Sequence, residues 1–205
     1  KTVLPIIINE NQNILMVRSF VSELKGKLET FRTLNNKEIR KLNEIAKKYN
    51  IKHHNKHKLD LVDEILSNVD IIPNSIALAQ AAIESGWGKS RFAKEYNALF
   101  GEYTYDNSKG VIPLERENGD THLIKAFSSY SNSVESYFDN INSHNAYEDF
   151  RDIRSIMRER NNFSNVNLLV NKLSTYAEDE NYINTIRQVI KTNNFGIFDQ
   201  KTISY

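Results

Sequence analysis

The stretch ALAQAAIESGWG, residues Ala77–Gly88, governs the interpretation of the whole chain. Small residues at helical spacing place Glu84 on the same helix face as Ala77 and Ala81. The glycines that follow, beginning with Gly86, favour a helix end because glycine tolerates the left-handed backbone found there. We therefore predict a small-residue helix whose last turn carries a single acid.

The position of Glu84 favours acid–base chemistry. A carboxylate on an otherwise apolar helix face is costly to ionise, and the negative end of the helix dipole adds to that cost. Both effects favour a protonated side chain near neutral pH, which is what a general acid needs. Since Pro73 closes the preceding segment, we expect Asn74 or Ser75 to cap the start of this helix.

Length and composition limit the classes of protein that fit. A chain of 205 residues suits one domain, or one domain with a helical extension. The net charge of +1 argues against nucleic acid as a partner, and no segment approaches the roughly 18 apolar residues of a membrane span. The chain contains no cysteine, which excludes disulfides and thiolate chemistry. Any signal peptide or anchor would lie upstream of Lys1.

The middle of the chain, residues 100–127, indicates a small β element. Asn118-Gly119 between two extended runs is a strong hairpin signal, so we predict two or three short antiparallel strands. Glycoside cleavage commonly uses two carboxyl groups in different surroundings, and an ionised hairpin acid would complement Glu84. The candidate hairpin acids are Glu102, Glu115, Glu117 and Asp120.

Aromatic residues near these acids are candidates for sugar binding, because a ring stacks on sugar C–H faces while its hydroxyl stays in water. Tyr103 and Tyr105 alternate along one predicted strand and share a face. Trp87, the single tryptophan, is either such a platform or a core anchor that holds the helix end. Lone tyrosines such as Tyr176 and Tyr182 are more often packing residues, so their positions alone do not select them.

Histidine motifs give little support for a metal or a cofactor. His53, His54 and His57 cluster in a polar loop without a carboxylate or cysteine at a suitable spacing, so we expect no metal site. The chain also lacks a phosphate-binding glycine loop and a His-Glu-x-x-His motif, so we expect no cofactor. His122 and His144 are isolated, and we expect packing or surface roles for both.

Taken together, the motifs resemble a known family. The stretch from Ser75 to Ala93, followed by Asn97-Ala-Leu-Phe-Gly, is similar to the Bax-like branch of bacterial endo-β-N-acetylglucosaminidases. That branch is related to the glucosaminidase domain of the flagellar rod-cap protein. The similarity covers about Val69 to Phe198, and the N-terminal helices match more loosely.

The resemblance implies a fold and a location. The fold is mainly α (α+β) and lysozyme-like, with an α lobe and a small antiparallel β-hairpin lobe that flank a sugar groove. We expect an N-terminal helical extension at residues 1–68, which packs on a glucosaminidase domain at residues 69–205. We also expect an exported monomer of the periplasm or cell envelope.

The resemblance further implies an activity and site residues. The activity is hydrolysis of the β-1,4 bond after N-acetylglucosamine in peptidoglycan, with Glu84 as the general acid. Glu115 best matches the assisting hairpin glutamate, Glu117 is held in reserve, and the substrate's acetamido group could serve instead. Tyr176 would line the groove, although the family's Thr and Pro are replaced between Tyr176 and Tyr182. The expected substrate-binding residues are Trp87, Asn97, Phe100, Tyr103, Tyr105 and Tyr182.

Two other functions stay open at the level of sequence. The first is a weakly active or non-catalytic module for cell-wall binding or assembly, for which the altered motif after Tyr176 leaves room and against which Glu84 counts. The second is a lytic transglycosylase, which shares the Glu-Ser motif but cuts after N-acetylmuramic acid and leaves an anhydro product.

Overall fold

The structure, a computed structural model, describes residues 2–113, 121–162, 165–177 and 179–201. It is mainly helical with one small antiparallel sheet, which confirms the predicted fold class. The helices are α1 (Val3–Glu29), α2 (Asn36–Lys48), α3 (Lys58–Asn68), α4 (Asn74–Glu84), α5 (Arg91–Tyr96), α6 (Tyr130–Ser143), α7 (Glu148–Glu159), α8 (Val166–Val170) and α9 (Tyr182–Thr192). The strands are β1 (Tyr103–Thr104), β2 (Gly110–Val111) and β3 (Leu123–Lys125), and short 3-10 helices cover Asn145–Tyr147 and Phe195–Lys201.

Two compact units make up the chain, and each has its own buried core. The first unit comprises Lys1–Glu10, Pro73–Phe138 and Gln188–Tyr205, and the second comprises Asn11–Ile72 and Asp139–Arg187. The division into an extension at residues 1–68 and a domain at residues 69–205 stays a prediction.

Helix α4 lies in the core of the first unit. Ile76, Ala77 and Ala79 have no exposed surface, and Ala81 is 4% exposed. A helix that is apolar on nearly all sides is stable only where other elements cover it. Alanine also has the highest helix propensity, so the same residues that allow close packing favour the helix itself.

The start of α4 is capped from a distant part of the chain, and the predicted local cap is wrong. Pro73 occupies the N-cap position, and Asn74 and Ser75 lie inside the first turn. The carboxylate of Asp199 accepts a bond from the Ser75 N–H at 2.8 Å and one from its Oγ at 2.7 Å. Burial raises the pKa of Asp199, although both bonds from Ser75 act in the opposite direction.

The three-stranded sheet of the first unit has the order β1-β3-β2, with both pairs antiparallel. Ile124 of β3 pairs with Tyr103 of β1. The Lys125 N–H donates to the Glu102 carbonyl at 2.8 Å, which extends the β1–β3 ladder by one residue. The predicted strands are confirmed, whereas the Asn118-Gly119 turn lies outside the described residues.

The second unit is a helical assembly with an aliphatic core. Leu24, Leu42, Leu61, Phe150 and Leu169 have no exposed surface. These residues come from α1, α2, α3, α7 and α8, so each of those helices contributes one face to the same core.

A buried acid joins the helices of the second unit. Asp70 is 1% exposed, and its carboxylate accepts bonds from Nε and Nη2 of Arg158 at 2.9 and 2.5 Å. Arg18 lies 3.4 Å away, and Arg154 donates to the Asp70 carbonyl at 3.0 Å. Burial by itself raises the pKa of Asp70, but the Arg158 hydrogen bonds and the arginine charges outweigh it, and the pKa is lowered.

Arg154 is the largest fully buried side chain of the described chain. Besides the Asp70 carbonyl, its guanidinium donates to the carbonyls of Ile71 at 3.2 Å and Asn68 at 2.7 Å. Burial lowers the pKa of Arg154 to about 9, while the charge of Asp70 raises it. The segment that leads into α4 is thus held by ionic and backbone bonds.

Within the described ranges, none of the helices combines the length and the apolar character needed to cross a membrane.

Candidate active site

Glu84 is the last residue of α4, as the sequence predicts. Gly86, Trp87 and Gly88 follow with φ values of 56°, 60° and 72°, all in the left-handed region. The Trp87 N–H donates back to the Ala82 carbonyl at 2.7 Å. This return bond closes the helix end, so the chain turns away immediately after Glu84.

Ser85 fixes the loop that follows Glu84. It is 2% exposed, and its Oγ donates to the Ala81 carbonyl and accepts from the Gly88 N–H at 2.8 Å. The Ser90 N–H donates to the Ser85 carbonyl at 3.0 Å. The polar groups of Ser85 therefore all serve the local turn, which restrains the backbone that carries Glu84.

The Glu84 carboxyl lies against the backbone of Gly101. A Cβ atom added to Gly101 would be 3.4 Å from Oε2 of Glu84, and Gly101 has a left-handed φ of 62°. Glu84 itself is partly buried. Because Gly101 has no side chain, bare backbone rather than a side chain borders the carboxyl on this side.

A buried chain of contacts fixes Gly101 relative to α4. The ring of Phe100 stacks on Tyr137 of α6 with a centroid separation of 4.0 Å and an angle of 8°. The Tyr137 hydroxyl donates to Oε1 of Gln80 in α4 at 2.6 Å. Phe100 is 1% exposed, so its ring packs in the core, and its predicted contact with substrate stays a prediction.

Asn97 has a structural task at the end of α5. It adopts a left-handed φ of 53°, a conformation that asparagine tolerates better than most residues. Its Nδ2 donates to the Phe127 carbonyl at 3.0 Å, which joins the end of α5 to the segment after β3. The predicted role of Asn97 in substrate binding stays a prediction.

Glu102, the residue after Gly101, belongs to an ionic network. Its side chain is 10% exposed, and Oε2 accepts from Oγ of Ser136 at 2.9 Å and lies 3.6 Å from Nζ of Lys125. Lys125 also donates to Ser136. Three of the predicted hairpin acids, Glu115, Glu117 and Asp120, lie outside the described residues.

Trp87 projects from the loop after Glu84 and is 56% exposed. Its ring centroid is 6.5 Å from that of Phe195. Both rings line a cavity of about 690 Å³ within the first unit, whose other walls include Leu78, Leu99 and Phe198. The Trp87 ring thus contacts apolar residues on one side and leaves much of its surface accessible to a ligand.

Tyr103 and Tyr105 are both exposed, at 64% and 77%. Tyr103 lies in β1, and Tyr105 follows the strand. The ring of Tyr103 is in contact with that of His122, at a centroid distance of 4.2 Å. Both tyrosines therefore have the accessibility that a binding role requires.

Tyr176 and Tyr182 lie in the second unit and stack on each other, with centroids 5.8 Å apart and an angle of 3°. The ring of Tyr147 lies on Tyr176 at a tilt of 41°, with the centroids 6.1 Å apart. Tyr182 is 3% exposed and Tyr176 is partly buried. The two tyrosines of the sequence motif thus pack against each other in the structure. Their roles in catalysis and substrate binding stay predictions.

The histidine cluster lies in the loop before α3. The rings of His53 and His54 are 4.3 Å apart, and Nδ1 of His53 lies 3.3 Å from the Ile51 carbonyl. Across the described ranges, no three His, Cys, Asp or Glu side chains converge in a way that could hold a metal ion.

Sequence reasoning missed the residues that position the site. Gly101 is part of the family-like motif, but the sequence does not explain why this position is a glycine. Its left-handed φ and its closeness to the Glu84 carboxyl explain it. The partners of Tyr137 and Asp199 carried no local signal, because these residues reach Gln80 and Ser75 across 57 and 124 residues of chain. Pairing over such separations is a property of the folded chain.

The first unit carries a carboxyl group at the end of α4 and exposed aromatic rings, two features that the sites of glycoside hydrolases also have. The comparison with known proteins agrees with this class. The chain belongs to the Glucosaminidase family, described as mannosyl-glycoprotein endo-beta-N-acetylglucosaminidase, whose family model matches residues 59–195. The resemblance expected from the sequence is confirmed.

Individual relatives match over different lengths. Protein bax of Escherichia coli (strain K12) is 31% identical over 179 residues, which cover 86% of this chain and 61% of that protein. Peptidoglycan hydrolase FlgJ of Escherichia coli O157:H7 is 37% identical over 92 residues, which cover 40% of this chain and 29% of that protein. The chain thus spans about three-fifths of the length of Protein bax.

Among solved structures, the catalytic domain of the autolysin Auto from Listeria monocytogenes is similar, with a TM-score of 0.48 and 19% sequence identity. The match covers 87% of this chain and 96% of that domain.

Proposed function

We propose that this protein is a bacterial peptidoglycan hydrolase that cleaves the β-1,4 bond after N-acetylglucosamine. Family membership and the relationship to a peptidoglycan hydrolase support the substrate class. The observation that carries the proposal is the carboxyl of Glu84, held at the end of α4 against the backbone of Gly101. The same relatives support an exported enzyme that acts in the cell envelope.

In the proposed reaction, Glu84 donates its proton to the glycosidic oxygen as the bond from the anomeric carbon to that oxygen breaks. The position of Glu84 supports this role, because the buried helix α4 carries its carboxyl to the backbone of Gly101. The closed turn after Glu84 supports it too, because a restrained carboxyl needs less reorganisation in the transition state.

The positive charge that develops at the anomeric carbon needs a partner. We propose Glu115 for this role, with Glu117 or the acetamido group of the substrate as the alternatives. Water then adds to the anomeric carbon and gives its proton either to the Glu84 carboxylate, which restores the acid, or to the second carboxylate. Tyr176 would orient the sugar or stabilise the developing charge.

Sugar-contacting residues complete the proposal. Exposed rings at Trp87, Tyr103 and Tyr105 would stack on the glycan. Phe100 and Asn97 would support the groove by packing or by direct contact. Tyr182 is proposed as a substrate-binding residue on the family resemblance alone.

The decisive experiment is digestion of purified sacculi by the wild type and by Glu84→Gln, with mass spectrometry of the products. We expect Glu84→Gln to lose at least about 10²-fold in rate, since a positioned general acid contributes 10²–10⁴-fold. Its thermal midpoint should stay close to that of the wild type. Full activity of this variant would refute the assignment.

Product chemistry separates the alternatives. Hydrolysis leaves N-acetylglucosamine at the new reducing end, whereas a lytic transglycosylase leaves an anhydro sugar. Binding to sacculi without any released product would instead indicate a wall-binding module. Glu115→Gln and Glu117→Gln, assayed side by side, assign the second carboxylate. Unchanged rates in both would move the role to the acetamido group.

A further inference from the structure

We propose that Tyr103 and His122 together form a sugar-stacking platform beside the general acid, a role that the sequence does not assign to His122. This inference rests on the proposed function and deepens it. Its ligand is the pyranose face of an N-acetylated glycan. Three observations carry it: the contact between the two rings, the exposure of Tyr103 and the short stretch of backbone from Tyr103 to Gly101, which borders Glu84.

The strand pairing brings the two rings together. Tyr103 of β1 pairs with Ile124 of β3, and His122 lies two residues before Ile124. Because side chains alternate along a strand, His122 is on the same face of the ladder as the partner of Tyr103. The observed contact, with centroids 4.2 Å apart and a tilt of 31°, is the diagonal pair that this register predicts.

The contact restrains a side chain that would otherwise move freely. Tyr103 is 64% exposed despite the contact, and His122 is partly buried. A ring held by a neighbour loses less conformational freedom when a ligand binds, so more of the contact energy appears as affinity. An exposed yet restrained aromatic ring is therefore better suited to binding than a freely rotating one.

The path from the platform to the acid is short. Gly101, which borders Oε2 of Glu84, precedes Tyr103 by two residues, and two extended residues span at most about 7 Å. Between them, Glu102 turns its side chain toward Ser136 of α6 and is 10% exposed. Successive side chains thus alternate, with Glu102 directed toward α6 and Tyr103 directed to solvent.

The chemistry of the pair fits a glycan better than a protein partner. An aromatic ring offers an apolar face to sugar C–H groups, and the phenol and imidazole edges can bond hydroxyl or acetamido oxygens. Sites of this kind combine ring faces with a few polar groups that fix orientation. The adjacency to Glu84 through Gly101 supplies the reason for a sugar at this place.

The test measures the dissociation constant of chitotetraose by calorimetry, with Glu84→Gln as the parent so that the ligand stays intact. We expect Tyr103→Ala to raise the Kd about 10-fold, as loss of an aromatic stacking contact does. His122→Ala should raise it by a smaller factor, and His122→Phe, which keeps a ring against Tyr103, should restore it. The double variant should have a Kd close to that of Tyr103→Ala alone, because His122 acts on the ligand through its contact with Tyr103.

Phe31→Ala is the matched control, since Phe31 is 99% exposed and belongs to the second unit. The thermal midpoint of each variant checks that the fold is kept. A Kd within twofold of the parent for both Tyr103→Ala and His122→Ala would overturn the platform, as would a parent that binds no chitotetraose. Failure of the proposed function is distinct: wild-type protein that binds chitotetraose through Tyr103 but releases nothing from sacculi would refute the hydrolase and support the platform.

Discussion

Asp70 and Glu84 are both acidic residues in helical surroundings, but the groups that contact their carboxyls are of opposite kinds. Asp70, in the second unit, is 1% exposed and takes two bonds from Arg158, with Arg18 close by. Glu84, in the first unit, lies at the end of an alanine-rich helix with the backbone of Gly101 against it. The first environment stabilises a charged carboxylate that serves the structure, and the second holds the carboxyl for which we propose a proton transfer.

The largest effect on stability should come from Asp70→Asn. Removal of one partner from a buried ionic cluster leaves its arginine charges uncompensated, which typically costs about 3–5 kcal/mol. Urea unfolding measures the loss. Asp63→Asn is the matched control, because Asp63 is 49% exposed in its pair with Lys25 and should change the free energy of unfolding by less than about 1 kcal/mol. Equal losses in the two variants would contradict a special role for Asp70.

The stability of the protein should fall in acid through the same residue. The pKa of Asp70 is lowered in the folded state, so its stabilisation is fully present above the unfolded value of about 3.9. It is lost as the pH falls through the folded pKa. Unfolding followed by circular dichroism from pH 7 to pH 2 should show this loss in the wild type, and Asp70→Asn should lack that part of it. Identical acid profiles would remove Asp70 from the explanation.

Gly101→Ala, next to Glu84 in the first unit, should have a smaller effect on stability than Asp70→Asn. A non-glycine residue in the left-handed region costs about 1–2 kcal/mol, and the new Cβ would occupy the space 3.4 Å from Oε2 of Glu84. We expect both a lower thermal midpoint and a several-fold slower digestion of sacculi. Gly26→Ala is the control, and it should raise the free energy of unfolding by up to about 1 kcal/mol. Gly26 lies within helix α1, and an added Cβ there would have no neighbouring atom within 4 Å.

The smallest effect should come from the cap of α4. Asp199→Ala removes the acceptor of both Ser75 bonds and should cost about 1 kcal/mol, in the range measured for lost N-caps. Ser75→Ala removes only the hydroxyl bond and should cost less. Thermal unfolding compares the two. A larger loss for Ser75→Ala would show that the hydroxyl, and not the carboxylate cap, carries the stabilisation.

Much of the local structure of the site could be predicted from the sequence. The helix that ends at Glu84 follows from helical spacing of small residues and from two glycines, all within 12 residues. The presence of short antiparallel strands in the middle of the chain also followed from local signals. The start of the same helix could not be predicted, because its cap is Asp199, more than 120 residues away in the chain.

Contacts over long separations decided the rest. The bond from Tyr137 to Gln80 and the stacking of Phe100 on Tyr137 fix Gly101 beside Glu84, and none of these pairs has a sequence spacing that predicts it. His122 looked isolated in the sequence, and only the β1–β3 register brings it against Tyr103.

The sequence by itself therefore determined the position of Glu84, the helix that ends there and the resemblance to the family, because helix periodicity and glycine stops act over a few residues. The tertiary structure decided that arginines surround the Asp70 carboxyl, that the Glu84 carboxyl lies against the backbone of Gly101, and that the rings of Tyr103 and His122 are in contact. Those properties depend on burial and on the distances between groups far apart in the chain, and both are fixed only when the helices and strands pack.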